Sequence, residues 1–317
     1  MVLSMLLAAV FYTLIFPTEE GGPNGLLDQS RYFFLALLGA PTIFFSILLC
    51  TLGTLDQIPY LHEVDVSKKF DFYMYLKEMK ELFRNSSYIA ACMMMLVMFI
   101  GQGIIAILSN YAYIYAFEFS TEEMFWAGVC KLPGVFIALP LLHLLSKRLE
   151  KKQIVIIGTI LLAGTVTIPY NLRLLGWLPS NESPYILLCV FGPLLLSYLV
   201  WPTTYIVLDS QLADVADDHE LRSGKRSEGA IFAIRSLGKK ATQGVGGLIA
   251  GFGLEYINFP DNAEEVGVPP EAIEGLIILN GPVYLMIVAV GITFMFWYRI
   301  DRARHAEILG DLELRRA

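Results

Sequence analysis

The sequence predicts an all-α polytopic membrane protein with about eight transmembrane helices, and three observations carry that expectation. Of its 317 residues, 56% are apolar and 17% charged, with a mean hydropathy of +0.57. Soluble domains average about 45–50% and about 25%. Apolar runs of the roughly 20 residues needed to cross a bilayer recur along the whole chain. The basic residues collect in alternate connections between those runs.

The runs fall at about 1–16, 33–54, 88–117, 124–145, 153–175, 184–208, 229–253 and 275–298. The first starts at Met1 with neither a basic n-region nor a small-residue cleavage site. It therefore reads as a span beginning upstream rather than as a signal peptide. One set of connections holds Lys68, Lys69, Lys77, Lys80 and Arg84, then Lys147, Arg148, Lys151 and Lys152. The same set continues with Arg222, Lys225 and Arg226, and ends with Arg299, Arg302, Arg304, Arg315 and Arg316. The opposite set holds only Arg31 and Arg173. This asymmetry predicts a multi-pass protein of the cell (inner) membrane with both termini cytoplasmic.

Between the second and third runs lies the longest hydrophilic connection, 55–87. Within it, FDFYMYLKEMKELFR (70–84) spaces its apolar residues along one helical face, as a cytoplasmic surface helix would. The cysteines Cys50, Cys92, Cys130 and Cys189 sit in apolar runs without CxxC spacing and read as reduced packing residues.

Four basic residues remain inside the spans: Lys131, Arg235, Lys239 and Lys240. A charge at the bilayer centre costs roughly 2.5–3.5 kcal/mol on insertion scales, so such groups face a bundle interior or a watery cavity. Lys240 follows Glu228 by twelve residues, which places it roughly 18 Å deep, near the midplane. Helical spacing puts Ser236, Lys240 and Gln243 on one face, with Arg235 and Lys239 on an adjacent one. Further along, Gly247 and Gly251 form a small-xxx-small pair suited to close helix approach. Asp and Glu occur only at span edges, Glu118, Asp209 and Glu228 among them. The cationic core thus calls for counter-charges from elsewhere or for an anionic ligand. Gln102, Asn110, Tyr111 and Tyr113 are further candidates for lining a cavity, although membrane tyrosines more often pack or anchor.

The stretch DSQLADVADDHELRSGKRSEGAIFAIRSLGKK (209–240) is similar to the connection between helices ten and eleven of the glycoside–pentoside–hexuronide:cation symporters. That branch of the major facilitator superfamily includes melibiose permease. The matching positions are Asp214, Asp217, Gly224, Arg226, Glu228, Gly229 and Lys240. LSKRLEKKQ (145–153), ALLGAPTIFFSILLCTLGTLDQIP (36–59) and the terminal YRIDRARHAEILGDLELRRA resemble further segments of the family.

The resemblance implies a major facilitator-type helix bundle, with the eight spans as helices five to twelve of a twelve-helix fold and the first four absent. It divides the chain into 1–54 (two helices of the N-terminal bundle), 55–87 (central linker), 88–299 (C-terminal six-helix bundle) and 300–317 (cytoplasmic tail). The function it implies is symport of a sugar or glycoside coupled to Na⁺ or H⁺ by alternating access. The cationic core favours an acidic or sulfated sugar.

The implied solute and ion pathway comprises Lys240, Ser236, Arg235 and Tyr205, with Gln243 added from its helical face and Lys131 and Asn110 from their position in spans. Asp214, Asp217, Arg226 and Glu228 would form a cytoplasmic gate. Apart from the coupling ion, no cofactor is expected. The expected partners are a small-molecule solute and the lipid bilayer, with neither nucleic acid nor an obligate protein. The rival readings are a non-transporting membrane half that assembles with another chain, and a lipid or lysolipid carrier. An enzyme is disfavoured: metal clusters, nucleophile elbows and phosphate loops do not appear, and His62, His143, His219 and His305 are scattered.

Overall fold

The computed structural model describes residues 11–17, 24–56, 79–130, 132–224 and 228–316. The predicted surface helix at 70–84 lies mostly outside these residues, as do Lys131 and Arg226. The described residues form helices and turns without a strand. They divide into two compact units, 1–76 with 120–125, and 77–119 with 126–317.

In the first unit, Asp28 precedes helix α1 (Arg31–Gly53), and its carboxylate accepts from the Ser30 backbone, the Ser30 hydroxyl and Arg31. The second unit opens with α2 (Ser86–Tyr111), capped by Asn85, whose side chain accepts from Ser87 and Tyr88 N–H. A π-turn (Ala112–Ala116) extends it. The predicted span at 124–145 is covered by α3 (Thr121–Val129) and α4 (Leu132–Arg148), with Cys130 in a turn after α3. Then come α5 (Lys151–Leu174), α6 (Ile186–Ser223) and α7 (Glu228–Tyr256). The chain closes with α8 (Pro270–Ile278), a π-turn (Leu279–Val283), α9 (Tyr284–Phe294) and α10 (Arg302–Arg316).

Among the described residues, five helical stretches are long and apolar enough to cross a membrane: Arg31–Gly53, Ser86–Ala116, Lys151–Leu174, Ile186–Ser223 and Pro270–Trp297. Helix α7 lies outside this set and carries Arg235, Lys239 and Lys240 along its middle.

Within that unit α5 runs along α6, α2 along α7, and α4 against α6, while α9 packs on both α2 and α5. Small residues set the spacing. A Cβ at Gly134 would lie 1.9 Å from the Tyr198 carbonyl oxygen, so α4 and α6 touch backbone to backbone. Between α2 and α7 the contact is Gly246, where a Cβ would stand 2.6 Å from Ile100 O and 2.9 Å from Gly103 Cα. Gly247 and Gly251, the pair singled out from spacing, face Ile107 at 3.4 Å and open space respectively. The close-packing glycine is thus one position away from the predicted pair.

The largest departure from expectation is α6. The apolar run ends near 208, yet the helix continues to Ser223, where Gly224 stops it in the left-handed region (φ 70°). Asp209, Asp214, Asp217 and Asp218 therefore stand on a helix, not in the loop that the resemblance suggested. The i, i+3 and i+4 spacing of Asp214, Asp217 and Asp218 keeps these three on one side of the helix.

Candidate functional site

Helix α7 presents three distinct sides. Ile231, Gly238, Thr242 and Gly246 form the packed side, with Gly238 against Leu96 and Gly246 against Gly103 of α2. Leu237, Leu248 and Phe252 are broadly exposed apolar residues on another side, suited to hydrocarbon. At about 100° per residue, Arg235 falls on the packed side and Lys239 at its edge, while Gln243, Ser236 and Lys240 follow in the sector between the packed and the apolar exposed sides. The polar residues therefore avoid the apolar exposed side.

Across from Arg235 and Lys239, α6 and α2 supply aromatic rings and one carboxylate. Trp201 and Tyr205 of α6 have ring centroids 5.4 Å apart, and Tyr205 stacks at 5.7 Å on Phe99 of α2. The Tyr205 hydroxyl donates to Gln102 Oε1 at 3.4 Å. Lys239 Nζ lies 5.9 Å from the centre of the Phe99 ring, a cation–π contact. One turn beyond Tyr205, Asp209 receives Arg235 in bidentate fashion, Nε to Oδ1 at 2.5 Å and Nη2 to Oδ2 at 2.6 Å. The pair remains open, with Arg235 25% and Asp209 37% exposed.

This pair corrects the expectation of a core without internal counter-charge. Hydropathy falls at Asp209 and so marks it as a span edge, but the helix carries on past it. The signal available in the sequence was the i, i+4 spacing of Tyr205 and Asp209, which fixes both on one face.

Other candidate residues separate. Lys240 and Ser236 are exposed, and Lys240 makes no ion pair with a described residue. Asn110 is exposed and donates to Ala106 O of its own helix at 3.1 Å. Gln243 is placed only by its helical register, and Glu228 only as the first residue of α7.

A second polar cluster occupies the basic end of the bundle. Lys151 Nζ lies 2.7 Å from both Asp214 oxygens. His305 Nε2 of α10 stands 3.0 Å from Asp217 Oδ2 and 3.4 Å from Asp214 Oδ1. Asn85 Nδ2 donates to Asp218 at 2.7 Å, and Arg222 pairs with the same carboxylate at 2.9 Å. The Tyr298 hydroxyl donates to Asp214 at 3.4 Å. Burial, and then the Asp214 carboxylate beside it, hold the Tyr298 phenol well above its ordinary range. Ile308 and Leu312 of α10 are buried beneath this network, and Arg302 donates to Ser146 O and Leu149 O. The described partners of Asp214 and Asp217 all lie in the second unit.

Arg173, at the opposite end of α5, lines a cavity of about 380 Å³ with Leu174, Pro270, Ile273, Glu274 and Ile277. It donates to Ala116 O and Asn181, which accounts for its charge locally.

The model of the family described as MFS/sugar transport protein matches residues 1–302. A candidate sulfoquinovose importer of Escherichia coli is 24% identical over 288 residues, covering 90% of this chain and 57% of that protein. An uncharacterized symporter of Bacillus subtilis, YnaJ, is 23% identical over 322 residues, 98% of this chain and 62% of its own length. A candidate 2,3-dihydroxypropane-1-sulfonate exporter of Salmonella typhimurium is 22% identical over 191 residues, 60% of this chain and 39% of that protein. The chain thus spans 57% and 62% of the first and second of these relatives.

Proposed function

The chain belongs to the MFS/sugar transport protein family, and from that premise we propose that it serves in cation-coupled symport of an acidic sugar by alternating access. Membership places it among multi-pass membrane transport proteins and not among enzymes. The further elements of the proposal are coupling to Na⁺ or H⁺, an anionic substrate, and an inner-membrane orientation with both termini cytoplasmic.

The observation that carries the reading is the polar flank of α7. Arg235 and Lys239 stand beside an aromatic wall of Phe99, Trp201 and Tyr205, Lys240 lies exposed farther round the helix, and Asp209 neutralises one of the three cations. Aromatic rings suit the C–H faces of a sugar, and surplus positive charge suits an acidic substituent. Two of the relatives are named for sulfonated compounds, which supports a sulfonated sugar in particular. Lys131, Gln243, Ser236 and Asn110 stay in the proposed pathway on their span positions.

Asp214, Asp217, Arg226 and Glu228 are proposed to act at the cytoplasmic side, with Asp214 and Asp217 anchoring α10 through His305. Replacing Arg226 and Glu228 together tests their share in gating, and unchanged transport kinetics would remove them from it.

The direct test is uptake of neutral, uronic and sulfonated glycosides into cells under imposed Na⁺ or pH gradients, with wild type and Lys240→Ala. Accumulation of an acidic glycoside that follows one gradient and collapses in Lys240→Ala supports the proposal. Uptake indifferent to both gradients, or preferring neutral glycosides, contradicts it.

A further inference from the structure

We infer that the Arg235–Asp209 pair is an anion-exchange site, in which Asp209 fills the Arg235 fork until the anionic group of the substrate replaces it. The inference rests on the reading of the chain as a carrier of acidic sugars.

A guanidinium on the seventh position after Glu228 sits about 10 Å along α7 from its start. An unpaired cation there is costly, so the empty site needs an internal partner. Asp209 supplies one with near-parallel contacts of 2.5 and 2.6 Å, the two-pronged geometry that guanidinium offers to any planar or tripodal oxyanion. A sulfonate or a carboxylate presents the same pair of oxygens.

Exposure separates this bridge from the enclosed ones. Asp214 and Asp218 are 5% and 1% exposed and closed beneath α10 and α2, so no solute can reach them. Asp209 and Arg235 are 37% and 25% exposed. The fork can therefore be approached from outside, on the side of α7 where Lys239 lies one turn further on. Tyr205, one turn before Asp209, and Trp201, two turns before it, place ring surface next to the charge. An anionic sugar can thus set its ring on the aromatics while its anion takes Arg235.

Two consequences follow. Neutral sugars cannot displace Asp209, so the pair selects for anions. Asp209 also competes with the substrate, so it lowers the affinity that Arg235 would otherwise give. Asp209→Asn should then tighten binding, the reverse of what removing a substrate ligand does.

The test is calorimetric titration of the full-length chain in lipid nanodiscs with methyl α-D-glucopyranoside, its 6-deoxy-6-sulfonate and methyl glucuronide. Asp209→Asn is expected to bind the sulfonate about tenfold more tightly than wild type and the neutral glycoside equally. The glucuronide arm distinguishes a sulfonate-specific fork from one that accepts any oxyanion. The double variant Asp209→Asn/Arg235→Gln, which retains a neutral hydrogen-bonding pair should the single variant fail to fold, is expected to lose the preference for anions. Unchanged or weaker sulfonate binding by Asp209→Asn, or anion preference surviving in the double variant, overturns the exchange while leaving the acidic-sugar reading intact. A wild type that binds neutral and anionic glycosides alike overturns both.

Discussion

Lys151 Nζ lies 2.7 Å from each carboxylate oxygen of Asp214, joining the first turn of α5 to the extended half of α6. Asp214 is 5% exposed, and it also accepts from Tyr298. A carboxylate this enclosed depends on its cation, because removing one partner strands the other charge. Lys151→Met should lower stability by about 2 kcal/mol. The control is Arg304→Met, which removes an exposed pair with Glu307 worth at most about 1 kcal/mol. Thermal unfolding in detergent measures both, and equal shifts in Tm would show that the buried bridge is not special.

The Tyr298 phenol predicts a pH dependence of definite sign. Its folded pKa is raised, first by burial and then by Asp214, above the ordinary value near 10. The unfolded chain therefore loses this proton at lower pH than the folded chain does. The stabilisation is complete below pH about 10 and is lost as pH rises beyond it. Stability of wild type minus that of Tyr298→Phe should fall on raising pH from about 9 to about 11. A difference that stays flat would mean that the phenol is not protonated against Asp214.

Gly246 and Gly251 should respond oppositely to alanine. A helix interior gains up to about 1 kcal/mol from Gly→Ala where there is room, and Gly251 has open space. At Gly246 the new methyl would stand 2.6 Å from Ile100 O, and backbone cannot yield as a side chain can. Gly246→Ala should lower the melting temperature and Gly251→Ala raise it slightly. Similar values for the two would contradict the close approach of α2 and α7.

The difference between these glycines also shows what sequence alone could convey. Helical content and most spans were legible because apolar runs report burial in hydrocarbon directly. The choice between Gly246 and Gly247 was not, since it depends on the rotation of α7 against α2, which spacing leaves free by about 100° per residue. The polar flank of α7 was legible from the register of Ser236, Lys240 and Gln243. Its partner Asp209 was hidden because hydropathy marks where a run leaves the apolar layer, not where a helix stops. Lys151 and His305 were likewise invisible as partners of Asp214: they lie 63 and 91 residues away in the chain and meet it only through the packing of α5, α6 and α10.

Everything proposed about solute rests on the polar flank of α7 facing water while its apolar side faces lipid. With the four native cysteines replaced, single cysteines at positions 236, 237, 240, 248 and 252 can be exposed to a membrane-impermeant thiol reagent in intact bilayers. The account predicts labelling at 236 and 240, slowed by a bound acidic glycoside, and none at 237, 248 or 252. Labelling at 237 and 252 with silence at 240 would place Lys240 against hydrocarbon and contradict the account.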